Sequence, residues 1–305
     1  MKISLVIMAA GLGSRYGGSK QVDGIGPNGE ILMEYSIYDA LRAGFNKVVF
    51  IIKPEMEQMV RRLCGDALAR RTAADGSPVE VAYAFQDFSS VPDFYHIPPE
   101  RTKPFGTVHA LLCAADKVHE PCCVINADDY YGIDAYRTIY RELTKLPPEG
   151  KATMVGYLLK NTASLHGTVS RGVCTVENGK LRSIREALKI QLYPDGSLKD
   201  LAEDRSLEPE TVVSMNFWGF SPCVFPALKA YFENFLRYEA GDNIKAECLL
   251  PLMVGEQLEK GAWEVSVLRS ADKWFGMTYQ QDRAVVAQEL RKLHDQGVYP
   301  PSLRE

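Results

Sequence analysis

Four short apolar runs, at residues 3–8, 47–52, 79–85 and 122–127, punctuate the first half of the chain. Runs of this length, bounded by turn residues, read as buried strands. The stretches between them carry helical periodicity. Met33, Ile37, Ala40 and Leu41 share one face of a helix predicted over 31–43, with Gly44 as its C-terminal stop. Further helices are predicted over 55–69, 107–117 and 133–146. This alternation is the pattern of a mostly parallel sheet wrapped by helices, an α/β architecture.

The texture changes after Pro147-Pro148. Strand-like runs at 152–159, 172–177 and 181–185 follow, and Asn178-Gly179 between the last two is a hairpin signal. A strand is predicted at 212–220, helices over 222–237 and 246–260, a strand at 263–268, and a closing helix over 279–294. No internal repeat is visible, and in particular no hexapeptide array follows the α/β part. The expected organisation is one domain, 1–305, with a first half at 1–146 and a partly antiparallel second half at 147–305.

A chain of 305 residues with 46% hydrophobic residues can bury a substantial core. Its formal charge of −4, from 35 basic and 39 acidic residues, argues against nucleic-acid binding. Any anion site is therefore a local arrangement. Seven cysteines without a Cys-x-x-Cys pair fit reduced core residues and a cytoplasmic location better than a disulfide framework, and none resembles a zinc site. The first apolar run is too short for a signal sequence, and no stretch approaches the length of a membrane span, so a soluble protein is expected.

Candidate chemistry begins directly after the first strand. Gly11-Leu-Gly-Ser-Arg-Tyr-Gly-Gly-Ser-Lys20 combines glycines, whose N–H groups can approach an anion, with the charges of Arg15 and Lys20. It is not a dinucleotide fingerprint, because Tyr16 stands where the third glycine belongs. It is not a P-loop either, because Lys20 lies between Ser19 and Gln21. At the carboxyl end of a parallel strand such a loop sits where open α/β sheets bind ligands.

Asn126-Ala-Asp-Asp-Tyr-Tyr-Gly132 follows the fourth strand, so Asp128 and Asp129 fall on the same sheet edge. Magnesium is held by one or two carboxylates together with substrate phosphates, which suits an acidic turn opposite a cationic loop. The same carboxylates would equally serve to cap the helix that starts near Ile133.

Together, Ala10-Gly-Leu-Gly-Ser-Arg15 with Lys20, Gly106-Thr-Val-His-Ala110 and Ala127-Asp-Asp-Tyr-Tyr-Gly132 resemble the sugar-phosphate nucleotidylyltransferases, and the likeness continues through Asn216-Phe-Trp-Gly219 and Glu247-Cys-Leu-Leu-Pro251. The resemblance implies the GT-A-like nucleotide-diphospho-sugar transferase fold, a three-layer αβα sandwich on a mixed, mostly parallel sheet. It implies Mg²⁺-dependent transfer of a nucleoside monophosphate from an NTP, UTP or dTTP, to a sugar 1-phosphate, with release of pyrophosphate. Such a reaction needs no side-chain nucleophile, because the acceptor phosphate oxygen attacks; positioning and charge neutralisation are the tasks.

Carried over by position, Ala10, Gly11 and Gly13 would meet the triphosphate, Arg15 and Lys20 the leaving pyrophosphate, and Asp128 the metal. Gln86, Gly106 and Thr107 would receive the base; an amide can pair with the imide edge of uracil or thymine. On the acceptor side Asn216 and Gly219 match the family strand, and Glu186 falls on its Glu-Lys-Pro segment, but the segment reads Glu186-Ala-Leu-Lys189, so its lysine is displaced to Lys189 or missing. Members often place a second acidic metal ligand shortly before the last helix. Here Trp274-Phe-Gly-Met-Thr-Tyr279 stands there, flanked by Asp272 and Asp282.

His109, in the first turn of its helix, would cap, face solvent or touch a ligand. Trp218, Trp263 and Trp274 read as core or pocket wall, Tyr130 and Tyr131 as pocket lining, and Cys122 and Cys123 as packed and inert. Three other functions compete. The missing Glu-Lys-Pro suggests a cytidylyltransferase for a non-sugar phosphate such as phosphocholine. A catalytically silent nucleotide-sugar-binding regulator would be expected to lack Arg15, Lys20 or Asp128. A glycosyltransferase would share the fold and the acidic metal site without needing the loop's cations.

Overall fold

In the computed structural model, which describes residues 1–11, 24–276 and 279–304, the apolar runs of the first half become four mutually parallel strands. These are β1 (Ser4–Met8), β2 (Lys47–Ile52), β3 (Glu80–Phe85) and β4 (Cys122–Asn126). The chain winds outward from β1 through β2 to β3, then returns to place β4 on the other side of β1. The reversal opens a crevice between the carboxyl ends of β1 and β4, the switch point at which open α/β sheets hold ligands.

Alternation along these strands explains the layers. Leu5, Ile7, Phe50, Cys123 and Ile125 face one buried cluster, while Val6, Val49, Ile51, Cys122 and Val124 face another. Helices α1 (Leu32–Ala43), α2 (Thr107–Leu112) and α3 (Ile133–Leu143) pack on the strands of this half. As expected, Gly44 ends α1, at φ 119°, with its N–H on the carbonyls of Ala40 and Leu41. The helix predicted over 55–69 is interrupted by a π-turn at Arg61–Gly65. A Cβ on Gly65 would lie 2.0 Å from the Tyr83 hydroxyl, so the close approach of that ring shapes the segment. The helix predicted to reach Lys117 ends at Leu112, where i→i+3 bonds tighten the chain into turns.

The second half extends the sheet. β5 (Asp129–Tyr130) lies apart, followed by β6 (Lys151–Leu158), β7 (Val169–Glu177), β8 (Lys180–Leu192), β9 (Leu198–Asp200), β10 (Arg205–Leu207) and β11 (Val212–Phe220). Helices α4 (Val224–Tyr238) and α5 (Leu250–Glu259), strands β12 (Glu264–Arg269) and β13 (Phe275–Gly276), and helix α6 (Asp282–Asp295) complete the chain. β11 runs antiparallel to both β4 and β6, which joins the halves into one eleven-stranded mixed sheet. The hairpin forms as expected, with Asn178 and Gly179 both at positive φ. β8 runs on to Leu192 rather than stopping at Arg185, and its far end carries the short strands β9 and β10. The architecture is the three-layer mixed sandwich of the GT-A-like fold. All seven cysteines are free thiols, five of them buried. Among the described residues no helix is long and apolar enough to cross a membrane.

Candidate functional site

β1 and β4 are in register from Ser4 with Cys122 to Met8 with Asn126, so their carboxyl ends finish side by side. Beyond Met8 lie Ala9, Ala10 and Gly11; beyond Asn126 lies the acidic turn, and the Ala127 N–H donates to the Met8 carbonyl at 3.3 Å. Gly13, Arg15 and Lys20 lie outside the described residues. The switch point thus brings the start of the glycine-rich stretch beside the two carboxylates.

Asp128 stands half-buried on the turn, whereas Asp129 is buried and held. One oxygen of Asp129, Oδ2, accepts from Asn126 Nδ2 at 2.9 Å and from the Tyr131 hydroxyl at 3.1 Å. The backbone of β5 pairs with β13, setting Asp129 opposite Gly276 and Tyr130 opposite Phe275. A Cβ on Gly276 would come within 2.5 Å of Asp129 Oδ1 and 2.7 Å of the Trp274 ring, so only glycine leaves this carboxylate its place. The start of α3 is capped by Asp272, whose Oδ2 accepts from the N–H groups of Asp134 at 2.5 Å and Ala135 at 3.4 Å. Burial raises the Asp272 carboxyl above its usual range, and these two N–H groups oppose the rise. Asp282 is likewise engaged, accepting from the Tyr279 N–H and the Ser164 hydroxyl.

Among the described residues no group of three or more His, Cys, Asp or Glu side chains comes together. A hard cation that takes one or two carboxylates and completes its shell with phosphate oxygens and water does not require such a group. The donors present are carboxylate oxygens, and the cradle that a Cβ on Gly276 would fill is kept open for one of them. The acidic turn therefore fits Mg²⁺.

Across the crevice the start of α2 is tied to the segment before α5. Gly106 sits at φ 86°, and a Cβ there would lie 2.8 Å from the Cys248 carbonyl. Cys248 N donates to the Phe105 carbonyl and Val108 N to the Cys248 carbonyl, while Thr107 Oγ1 accepts from Leu250 N at 2.8 Å. Thr107 thereby caps α5. Buried Gln86 donates Nε2 to the Gly106 carbonyl at 3.1 Å. Arg101, also buried, clamps the same corner by donating to the carbonyls of Pro104, Asn243 and Ala246, with its guanidinium 3.6 Å from the Phe105 ring centre. His109 is fully buried: Nδ1 accepts from Phe105 N at 3.2 Å and Nε2 faces Ser90 Oγ at 2.8 Å. Burial pulls its imidazole down to about 4, so the ring is a neutral cap, not a ligand-facing acid.

In the second half of the chain, β8, β7 and β11 align Glu186, Gly172 and Ser214 in one row. Two residues further on, Asn216 adopts φ 58° where β11 slips register, and its Nδ2 reaches Asn126 Oδ1 at 3.4 Å. Asn216 Oδ1 is buried without a protein partner. Burial pushes Glu186 up to about 7, partly offset by Arg171, whose guanidinium also lies 5.2 Å from the Trp274 ring centre. Asn216 thus links the end of this row to the acidic turn. Lys189 is exposed where β8 slips past β7. Gly219 pairs with Cys123 in mid-sheet, where its missing Cβ makes room for Thr153 and Leu143, so it is not gathered with the others.

Asn126, Gly276, Arg101 and Arg171 were not singled out by sequence reasoning. Only Asn126 carried a signal, its place at the end of a buried strand immediately before two aspartates.

A family model for nucleotidyl transferases matches residues 5–239. Among solved structures the chain is similar to a Bacillus anthracis protein assigned as a glucose-1-phosphate thymidylyltransferase, in complex with a sucrose. The identity is 16%, the TM-score 0.61, and 99% of this chain and 98% of that one are covered. It is also similar to a UDP-glucose pyrophosphorylase complexed with UDP-glucose, at 15% identity and TM-score 0.60 over 96% of this chain and 99% of that one. An inositol-1-phosphate CTP transferase from T. maritima shows 12% identity and TM-score 0.60, with 96% of each chain covered. At these identities the likeness is one of fold. No curated protein matches the sequence.

Proposed function

The chain belongs to the nucleotidyl transferase family, and from that premise we propose that it transfers a nucleoside monophosphate from UTP or dTTP to a sugar 1-phosphate. An acceptor phosphate oxygen forms the new bond to the α-phosphorus, the α–β bridging bond breaks, and pyrophosphate leaves with the electron pair. The observation that carries this reading is the pairing of Met8 with Asn126, which sets Ala10 and Gly11 beside Asp128 and Asp129 at the switch point.

In this reading Asp128, with Asp129 beside it, holds Mg²⁺. Bound there, the ion would neutralise charge on the α-phosphate as the transition state forms. Asn126 and Tyr131 keep Asp129 in place. Gly13, Arg15 and Lys20 are assigned to the triphosphate and the departing pyrophosphate on sequence grounds. Gln86 and Gly106 receive the base, with Thr107 fixing the corner rather than touching it. Residues 1–146 serve as the nucleotide half and 147–305 as the acceptor half of one domain, and Glu186 and Asn216 meet the acceptor's hydroxyls. Asp272 and Asp282, both engaged by backbone N–H groups, are left out of the metal shell.

One observation favours a second reading in which the acceptor is a non-sugar phosphate and the nucleotide CTP. Lys189 stands exposed at the β8 irregularity, three residues beyond Glu186, so no Glu-Lys-Pro lysine accompanies that carboxylate.

Pyrophosphate release, measured for each of UTP, dTTP and CTP against glucose 1-phosphate, inositol 1-phosphate and phosphocholine, tests both. Release with a sugar 1-phosphate and UTP or dTTP, abolished in a folded Asp128→Ala variant, is expected. Unchanged turnover in that variant would sink the mechanism, and release only with CTP and phosphocholine would install the second reading.

A further inference from the structure

The last two dozen residues of the chain lie beyond the segment that matches the family model, yet they bond both to the acidic turn and to residues 24–30. Tyr299, almost fully buried, donates its hydroxyl to Asp39 Oδ2 at 2.7 Å and shares a 2.8 Å hydrogen bond with the Tyr130 hydroxyl. Tyr130 follows Asp129 in β5, and its ring stacks on Phe275 at 4.3 Å with a 7° interplanar angle. Tyr299 also packs edge-on against Tyr35 and Tyr38 of α1.

The same segment also grips residues 24–30, which follow the glycine-rich stretch in sequence. Arg283 donates to the Gly24 carbonyl at 2.8 Å, and Arg304 to the Gly29 carbonyl at 3.0 Å while forking onto both carboxylate oxygens of Glu34. Asn28 donates to the Pro301 carbonyl. Ile25 joins Tyr130, Val286, Leu290, Tyr299 and Leu303 in one small buried cluster. A single structural unit therefore bonds to residues 24–30 and to the acidic turn.

We propose that residues 282–304 form a clasp that sets the acidic turn relative to residues 24–30, with Tyr299 as a positioning residue for nucleotide binding and transfer. The inference rests on the nucleotidyl-transfer reading of the site. Tyr299 touches no reacting atom. It acts through Tyr130, whose neighbour Asp129 shares the turn with Asp128, and transfer is sensitive to displacements of that turn well below 1 Å. Arg304 acts separately on the stretch that follows the glycines.

Tyr299→Phe keeps the ring in its cluster and deletes only the two hydroxyl contacts. Isothermal titration of UTP and of dTTP in graded Mg²⁺, with pyrophosphate release measured in parallel, reads the effect. In Tyr299→Phe the Mg²⁺ concentration for half-maximal nucleotide binding rises at least five-fold and kcat falls about ten-fold, with the acceptor KM within two-fold of wild type. In Arg304→Ala the nucleotide Kd rises about five-fold while the Mg²⁺ dependence is retained. A purely structural role would lower the unfolding midpoint and leave both ratios at wild type, and that result overturns the proposal. Should Tyr299→Phe not fold, Arg304→Ala decides it: an unchanged nucleotide Kd overturns the clasp. A wild-type protein that binds nucleotide but never releases pyrophosphate would refute the transfer reading instead, and the binding ratios would still judge the clasp.

Discussion

Gln86 spends its amide nitrogen on the Gly106 carbonyl, 3.1 Å away, which orients the side chain so that its oxygen is the acceptor left to it. An acceptor beside the backbone of a glycine at φ 86° is a complement for a base edge that presents a donor next to an acceptor. Gln86→Glu removes the donor and sets a carboxylate against the Gly106 carbonyl. Steady-state kinetics with the nucleotide varied should show its KM raised about ten-fold, roughly 1.4 kcal/mol, with kcat within three-fold. An equal fall in kcat at constant KM would remove Gln86 from base recognition.

A side chain is also excluded at Gly276. Gly276→Ala drives a methyl to 2.5 Å from Asp129 Oδ1 and 2.7 Å from the Trp274 ring, and neither neighbour can yield without moving β13 from β5. Urea unfolding should register a loss of about 1–3 kcal/mol, and pyrophosphate release should fall more than ten-fold. Gly179→Ala is the matched control: at φ 72° it carries backbone strain, but no atom lies within 4 Å of the new methyl, so activity should be untouched. Equal effects of the two substitutions on activity would show that activity does not depend on the Asp129 cradle in particular.

How much of this was legible in the sequence depends on how local its causes are. The runs at 47–52 and 212–220 were readable end to end, because strands buried on both faces are predominantly apolar, which Lys47, Ser214 and Asn216 interrupt only singly. Gly44 and Asn178-Gly179 were readable because positive φ leaves few residue choices. The pairing of β5 with β13 was not: two-residue strands have no period, and their register is set by packing between segments 147 residues apart. Asp272 capping α3 from 138 residues away is equally nonlocal. Asp128, Gly106 and Gln86 were proposed from the motif order, whereas Arg101 and Gly276, which shape the surroundings of Gly106 and Asp129, belong to no motif. His109 looked undecided for a simple reason: only the packed structure shows that the Phe105 N–H claims its Nδ1.

Glu186 provides a pH test of the acceptor side. Burial lifts its carboxyl to about 7, so below that pH it carries a proton and above it a charge. A carboxylate accepts hydrogen bonds from hydroxyls more strongly than a carboxylic acid does. The acceptor KM should therefore fall as pH rises from about 6 to about 8, and Glu186→Gln should flatten that dependence, which pH-resolved initial rates would measure. A dependence that survives in the variant would place the titrating group elsewhere.

Asp39 supplies the last test, one of stability rather than turnover. It is fully buried on α1; Oδ2 accepts from Tyr299, and Oδ1 is buried without a partner. Burial raises its carboxyl to about 8, the Tyr299 hydroxyl and the charges of Arg42 and Arg137 opposing and Asp272 adding to the rise. In the unfolded chain the same carboxyl ionises near its ordinary value of about 4. Between those two values the folded state holds a proton that the unfolded state releases. Folding stability therefore declines as pH climbs through this window, is unaffected by this group below it, and bears the full cost above about 8. Asp39→Asn keeps an acceptor for Tyr299 and cannot ionise. Its unfolding free energy relative to wild type, read from urea titrations, should rise steadily between pH 5 and pH 8, by a few kcal/mol, on the order of 4 at most. A gap that stays constant over this range would mean that Asp39 is already ionised in the folded protein at pH 5, with a counter-charge closer than Arg42 or Arg137.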